Sequence, residues 1–379
     1  MSAGDAIELT RALVRLDTVN PPGQEERCAA VLESLLAGAG FRCRRFEFAP
    51  TRTSLVARIG GEGRRRPLGF TGHLDVVPLG AVPWSVDPFG AEIVDGRLYG
   101  RGATDMKGGL AAFIAAALEL APRLRAGPGL VLVLTAGEET ACQGAVDLVH
   151  RQREAPVLGE VGALIVGEPT GNYPLVGHKG ALWVRARTVG VTAHGAMPER
   201  GVNAIYKAAR AIGRLEGFEL SAMRHPLMGQ ATLNVGTVRG GLNINSVPDA
   251  AEFNVDIRTL PGQSHAGLLA ALKARVGEEV ALETIADVEG IVTDPADPWM
   301  QSVFRALEPV LGTPPAPRTA AYVTDASALK PAYGHPPTVI LGPGEPGLAH
   351  QTDEYCTLAQ LEAAHGVYRT LIEQWIEGA

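Results

Sequence analysis

The chain has 379 residues, room for about two domains, and its 46% hydrophobic content can furnish a sizeable core. A formal charge of −7 excludes a broadly basic nucleic-acid or anionic-membrane surface, and the single basic run, Arg64-Arg65-Arg66, reads as a solvated loop. Cys28, Cys43, Cys142 and Cys356 include no CxxC pair, which excludes a zinc knuckle and a disulfide framework and suits a cytoplasmic location.

The N-terminus opens with acidic and amphipathic residues, so no signal peptide is expected, and no apolar run reaches the roughly 18 residues of a membrane span. Ala6 to Leu16 and Glu26 to Ala39 carry apolar residues at helical spacing, separated by the breaker Asn20-Pro21-Pro22-Gly23. Phe46 to Ile59 alternates as strands do, Gly60 to Pro67 is a turn, and Leu68 to Gly72 is a strand ending near His73 and Asp75. Two residues apart on one face, a histidine and a carboxylate suit a metal ligand and the group that orients it; a surface histidine beside a turn is the plainer alternative.

Next comes Tyr99-Gly-Arg-Gly-Ala-Thr-Asp105-Met-Lys-Gly-Gly109, glycine-rich and leading into the helical run Leu110 to Leu120. Its glycines permit tight turning and close approach, and Asp105 just before a helix is by default a cap. Leu130 to Leu134 then reads as a buried parallel strand running into Glu138 and Glu139, and Ala163 to Val166 repeats the pattern before Glu168. In open α/β sheets the carboxyl ends of strands are where ligands bind.

From His178 the texture changes. Strand-like Ala181–Val191, helical Gly201–Leu215, strand-like Thr232–Val238 and Ala251–Arg258, helical Ser264–Val276 and strand-like Val280–Ile285 give a β-α-β-β-α-β order, the ferredoxin-like pattern. Helix–strand alternation then resumes with Trp299–Leu311 and Pro337–Leu341. A loop delivers His350, and Thr357 opens the last helix with Gln360 completing a capping box. The expected fold is α/β: a mostly parallel sheet flanked by helices over 1–177 and 290–379, with a ferredoxin-like domain inserted over 178–289.

His73, Asp105, Glu138, Glu139, Glu168 and His350 form a donor set suited to zinc or a similar divalent ion. A shared carboxylate can hold two such ions about 3.5–4 Å apart. The segments GHLDVV, GRGATDMKGG, TAGEE, GEPT and GLAHQTDEY, in this order and over nearly the whole chain, resemble the metallopeptidase family of acetylornithine deacetylase and succinyl-diaminopimelate desuccinylase. Aminoacylase and glutamate carboxypeptidase are related members.

The resemblance implies two divalent metal ions, zinc first, with cobalt and manganese compatible. His73 and Glu168 would hold one ion and Glu139 and His350 the other, with Asp105 bridging and Asp75 orienting His73. Glu138 would be the general base, and the Asp105-Met106 peptide would be cis. The inserted domain resembles the family's lid and dimerisation domain, which makes a homodimer the expected assembly. His194 would reach the partner's site and stabilise the oxyanion there, and Arg258 and Asn245 would bind the substrate carboxylate. For His194, Arg258 and Asn245 the plainer readings are a loop histidine, a strand-edge arginine and a turn residue.

The implied activity is hydrolysis of an N-acyl amino acid or short peptide, acetylornithine deacetylase-like. Desuccinylase, carboxypeptidase and dipeptidase are the alternatives within the same chemistry. Where desuccinylases carry an arginine after a Thr-Ser-Asp-Gly stretch, this chain has Ser327 in Thr324-Asp325-Ala326-Ser327, which leans towards an acyl group without a second carboxylate. A metal-free binding homologue is the reading from another class, and it conflicts with a donor set that lacks no member. A nucleotide-binding reading fails because Gly100-Arg-Gly102 lacks the third glycine and the chain has no GK[ST].

Overall fold

The aliphatic run Leu130-Val-Leu-Val-Leu is buried on both faces, at the centre of a mixed sheet. This computed structural model describes residues 5–378. The strands used below are β1 (Arg42–Ala49), β2 (Arg52–Ile59), β3 (Leu68–His73), β4 (Leu130–Thr135), β5 (Ala163–Val166), β6 (Leu175–His178), β7 (Gly180–Val189), β8 (Thr232–Gly240), β9 (Ala250–Thr259), β10 (Val280–Val288) and β11 (Thr338–Ile340). The helices are α1 (Ala6–Val14), α2 (Glu26–Gly38), α3 (Gly108–Glu119), α4 (Gln143–Glu154), α5 (Ala204–Leu215), α6 (His265–Val276), α7 (Pro298–Leu311), α8 (Ala326–Ala332) and α9 (Leu358–Glu377).

The chain divides into two compact units. The first runs to Gly177 and resumes over Val292–Ala320 and from Thr324; the second is His178–Ile291 with Ala321–Val323. In the first unit the strand order is β1-β2-β4-β3-β5-β11-β6. The central four, β4, β3, β5 and β11, are parallel, while β1, β2 and β6 join antiparallel at the flanks. A parallel sheet must be covered on both faces. Phe70 of β3 stacks on Phe113 of α3 with ring centroids 3.9 Å apart, and Tyr368 of α9 meets both rings edge-on. The alanine-rich α3 is buried over nearly its whole surface, and a Cβ on Gly109 would lie 2.0 Å from the Gly167 carbonyl, so only glycine permits this approach.

The second unit is the ferredoxin-like β7-α5-β8-β9-α6-β10, with strands in the order β8-β9-β7-β10, every neighbouring pair antiparallel. Phe253, Val255 and Ile257 of β9 share its core with Ala208 and Leu215 of α5 and Leu268 and Leu272 of α6.

Three local expectations are refined. The alternation through Phe46–Ile59 is a hairpin of β1 and β2, turned at Pro50-Thr51 with Thr51 at φ 66°. Asp105 does not cap α3, whose N-cap position is Lys107 without a side-chain bond. Thr357 does cap α9, accepting from the Gln360 N–H at 3.2 Å, and the Gln360 side chain reaches back to the Thr357 hydroxyl, which donates to its Oε1 at 3.0 Å, while the Gln360 amide nitrogen donates to Glu345 at 2.6 Å.

Candidate metal centre

Parallel pairing brings the acids of the first unit to one edge of the sheet. β3 pairs with β4 so that His73 faces Thr135, and Glu138 and Glu139 follow just beyond it. β3 pairs with β5 so that Thr71 faces Val166, and two residues further each strand reaches a donor, His73 and Glu168. The loop after β11 delivers His350, and the turn before α3 delivers Asp105, whose peptide bond to Met106 is cis.

Asp105 divides its carboxylate between two imidazoles. Oδ1 lies 3.1 Å from His73 Nε2 and Oδ2 lies 3.2 Å from His350 Nε2. Glu168 Oε2 lies 3.8 Å from His73 Nε2, and Glu139 Oε1 lies 3.1 Å from His350 Nε2. Donor atoms of His73, Asp105 and Glu139 sit within 4.8 Å of one another, as do those of His73, Glu138 and Glu168. Imidazole and carboxylate are the ligands divalent zinc, cobalt and manganese accept, and a cation offsets the mutual repulsion of such acids, so this donor set fits a metal centre.

Asp75 touches the centre in two ways. Its main-chain carbonyl lies 2.9 Å from His73 Nδ1, while its carboxylate is 3.6 Å away. A carbonyl can only accept, so Nδ1 carries the hydrogen and Nε2 is the atom turned to Asp105 and Glu168. The carboxylate instead accepts the backbone N–H groups of Glu138 and Glu139 at 3.1 and 3.2 Å and the Asn20 amide at 2.9 Å.

The turn carrying the two glutamates is bracketed by positive φ at Gly137 (70°), Ala141 (67°) and Cys142 (57°). For the two non-glycine residues this costs of order 1–3 kcal/mol each. A buried pair holds the turn from behind: Arg52 donates to Glu25 at 2.9 Å, and Glu25 accepts the Gly137 N–H at 3.1 Å.

The titration behaviour follows from crowding. Burial, then the charge of Glu168, raises Glu138 well above the usual carboxylate range. Burial also raises Glu168 and Glu139, with Asp105 adding to both. Burial alone would lower His73, but Glu168 and Asp105 outweigh it and raise the imidazole well above its ordinary value. Hydrogen bonds to Asp105 and Glu139 hold His350 up at about 10. Asp105 goes the other way: despite its burial, the two histidines pull it far below the usual range.

The remaining sequence-derived candidates lie in the second unit. His194 is exposed, its Nδ1 accepting the Ala196 N–H at 3.0 Å. The Asn245 carbonyl accepts from the neighbouring Gly195 at 2.8 Å while the Asn245 side chain is exposed. Arg258 on β9 pairs with Asp256 two residues earlier, at 3.1 Å.

Three supporting groups escaped the sequence reading. Glu354, fully buried, accepts the N–H groups of Gly102 (3.1 Å), Thr104 (2.8 Å) and Asp105 (3.0 Å), and pairs with buried Arg101 at 2.6 Å. It stands in the quoted segment GLAHQTDEY, where a second acid four residues after His350 was the available signal. Asp325 bonds Thr135, and one of its oxygens lies within 4.8 Å of Glu138 and Cys142; burial raises its carboxyl to about 6. The Glu25–Arg52 pair carries no local signature.

Residues 69–374 match the model of peptidase family M20/M25/M40. The chain is 34% identical over 385 residues to a succinyl-diaminopimelate desuccinylase of Cereibacter sphaeroides, covering 98% of this chain and 99% of that one. It is 35% identical over 399 residues to the enzyme of that name from Rhodospirillum centenum, covering 100% and 99%. Among solved structures, an M20 metallo-carboxypeptidase of Sulfolobus solfataricus superposes with a TM-score of 0.82 at 17% identity, over 98% and 99% of the two chains. A Bacillus subtilis protein described as a dinuclear metal binding peptidase of the M20 family superposes with a TM-score of 0.69 at 17% identity, over 99% and 98%. With the family match, the full-length relatives and the clustered donors in agreement, the chain belongs to peptidase family M20/M25/M40 and is a metal-dependent hydrolase of amide bonds.

Proposed function

We propose that this hydrolase removes the acyl group from an N-acyl amino acid at a centre of two divalent ions. His73, Glu168 and Asp105 would hold one ion and Glu139, His350 and Asp105 the other, with zinc the first expectation and cobalt or manganese compatible. The observation that carries this is the divided carboxylate of Asp105, one oxygen towards each histidine. The bound ions supply Lewis-acid chemistry, lowering the pKa of water towards about 7 and polarising the scissile carbonyl.

The chain's own side chains do the rest. Glu138 is the general base: it takes the proton of the attacking water and hands it to the leaving amine nitrogen, work worth roughly 10²–10⁴-fold in rate. Asp75 fixes the His73 ring through its carbonyl and the Glu138-Glu139 turn through its carboxylate. The 178–289 domain serves as lid and homodimer interface, with His194 stabilising the oxyanion in the partner's site and Arg258 and Asn245 binding the substrate carboxylate. Exposure of His194 beside Asn245 supports that reading. Dimers mixed from Glu138→Ala and His194→Ala chains test it: partial activity is expected, and none in verified heterodimers contradicts it. Four free cysteines support a cytoplasmic location.

For the acyl group, two observations point different ways. Ser327 at the start of α8 offers no charge to a second carboxylate, which favours acetyl. The names of relatives 34–35% identical over nearly the whole chain favour succinyl. A hydrolysis screen of N-acetyl and N-succinyl amino acids with the metal-reconstituted chain separates them. Preference for acetyl supports the first reading, and succinyl turnover equal or faster establishes the second. No turnover of any acylated amino acid contradicts the proposal.

A further inference from the structure

At the amino end of β3, opposite His73, the first unit holds a cavity of about 330 Å³ lined by Arg42, Arg58, Arg64, Arg65 and Arg66 with a single acid, Glu160. Five arginines in one place call for a cause in a chain of net charge −7. Arg42 and Arg58 are direct partners across the β1–β2 pair, and like charges facing each other across two strands destabilise them. Two of the five are otherwise engaged. Arg66 meets Glu160 at 3.4 Å, and Arg65 donates to the Trp375 carbonyl at 2.7 Å while lying over its ring.

The other three have no carboxylate. Among the described residues the side chains of Arg42 and Arg64 make no hydrogen bond or ion pair, and the Arg58 guanidinium donates only to the Val157 carbonyl. Arg58 is half-buried, and burial, with Arg44 and Arg42 alongside, pulls its guanidinium below its ordinary value. Glycines keep the walls low: a Cβ at position 159 would come 3.0 Å from Arg58 Cζ, and position 63 has nothing within 4 Å. The Arg64-Arg65-Arg66 run is therefore not merely a solvated loop; it closes a basic pocket begun by the sheet.

We propose that this pocket binds a phosphate group, as the free ion or as the ester of a small metabolite, at a site separate from the metal centre. Guanidinium forks match phosphate oxygens bidentately, and a dianion among Arg42, Arg58 and Arg64 cancels the repulsion between them. The volume exceeds a bare phosphate and falls at the small end of ligand pockets. The six-residue β3 separates the pocket from His73 by roughly 20 Å, so the ligand does not compete with substrate.

Calorimetric titration of the metal-loaded chain with inorganic phosphate, at ionic strength held with chloride, tests the site. Phosphate can also reach the metal centre, so the readout is the difference between wild type and Arg42→Ser/Arg64→Ser, two exposed positions away from the catalytic groups. Wild type shows a binding event that the double variant weakens at least tenfold, with amide hydrolysis unchanged. Arg42→Lys/Arg64→Lys, which keeps charge but not the fork, falls between the two. Glycerol phosphate as a second probe separates the sources: tighter binding than inorganic phosphate identifies an ester ligand, and weaker binding identifies the free ion. Identical titrations of wild type and the serine variant, or no heat beyond the chloride control, overturn the proposal.

Discussion

Glu354 Oε1 accepts the backbone N–H of Asp105 at 3.0 Å, so the residue whose carboxylate faces both histidines is itself held from the main-chain side by a buried acid. Arg101, also buried, pairs with the other oxygen of Glu354. Glu354→Ala strands that arginine and frees three loop amides. A loss of about 3–5 kcal/mol is expected for breaking such a pair, together with weaker metal retention against a chelator. Unchanged melting and metal retention would show that the loop holds its shape without Glu354.

Glu138 and Glu139 are adjacent, yet they face different tasks under the proposed mechanism. Glu138→Ala is expected to lower turnover by roughly 10²–10⁴-fold, the usual span of a lost general base, while metal content by mass spectrometry stays near wild type. A variant that loses metal makes Glu138 a ligand, which its place beside His73 and Glu168 also permits.

The donors beside the sheet, His73, Glu138, Glu139 and Glu168, were readable as candidates because they end or closely follow unambiguous strands. Leu130–Thr135 and Ala163–Val166 are uninterrupted apolar runs, and parallel pairing carries whatever follows them to one edge. What supports those positions was not readable. Glu354 and Asp105 are 249 residues apart and Glu25 and Arg52 are 27 apart, so neither pair leaves a periodic trace. The Asp75 carboxylate looked like the partner of His73 from its spacing, but the turn of the chain gives that bond to the main-chain carbonyl and frees the carboxylate to clamp the glutamates. Gln360 stands where a capping box needs it and its Oε1 accepts from the Thr357 hydroxyl, but nothing in the sequence marks the tertiary partner that its amide nitrogen also finds, Glu345.

His178 at the end of β6 supplies a pH dependence. Burial pulls its imidazole down to about 4, although its bond to the Lys179 carbonyl opposes the shift. Unfolded, the ring titrates near 6.5. Between these values the unfolded chain binds more protons, so the contribution is fully present above about pH 6.5 and is lost as pH falls towards 4, a change of about 3 kcal/mol. Urea unfolding of wild type and His178→Asn across that window checks it. The wild type is expected to lose stability more steeply than the variant on acidification; parallel curves would contradict the assignment.

The central claim is that His73, Asp105, Glu139, Glu168 and His350 hold two divalent ions on which hydrolysis depends. Its most direct measurement is metal stoichiometry and amide hydrolysis followed together, as the chelated chain is titrated with zinc or cobalt. Two ions per chain are expected, with activity absent before titration and rising with occupancy, and His350→Ala is expected to bind fewer ions and stay inactive. Full hydrolysis by the chelated chain, or two ions retained after loss of His350, would contradict it.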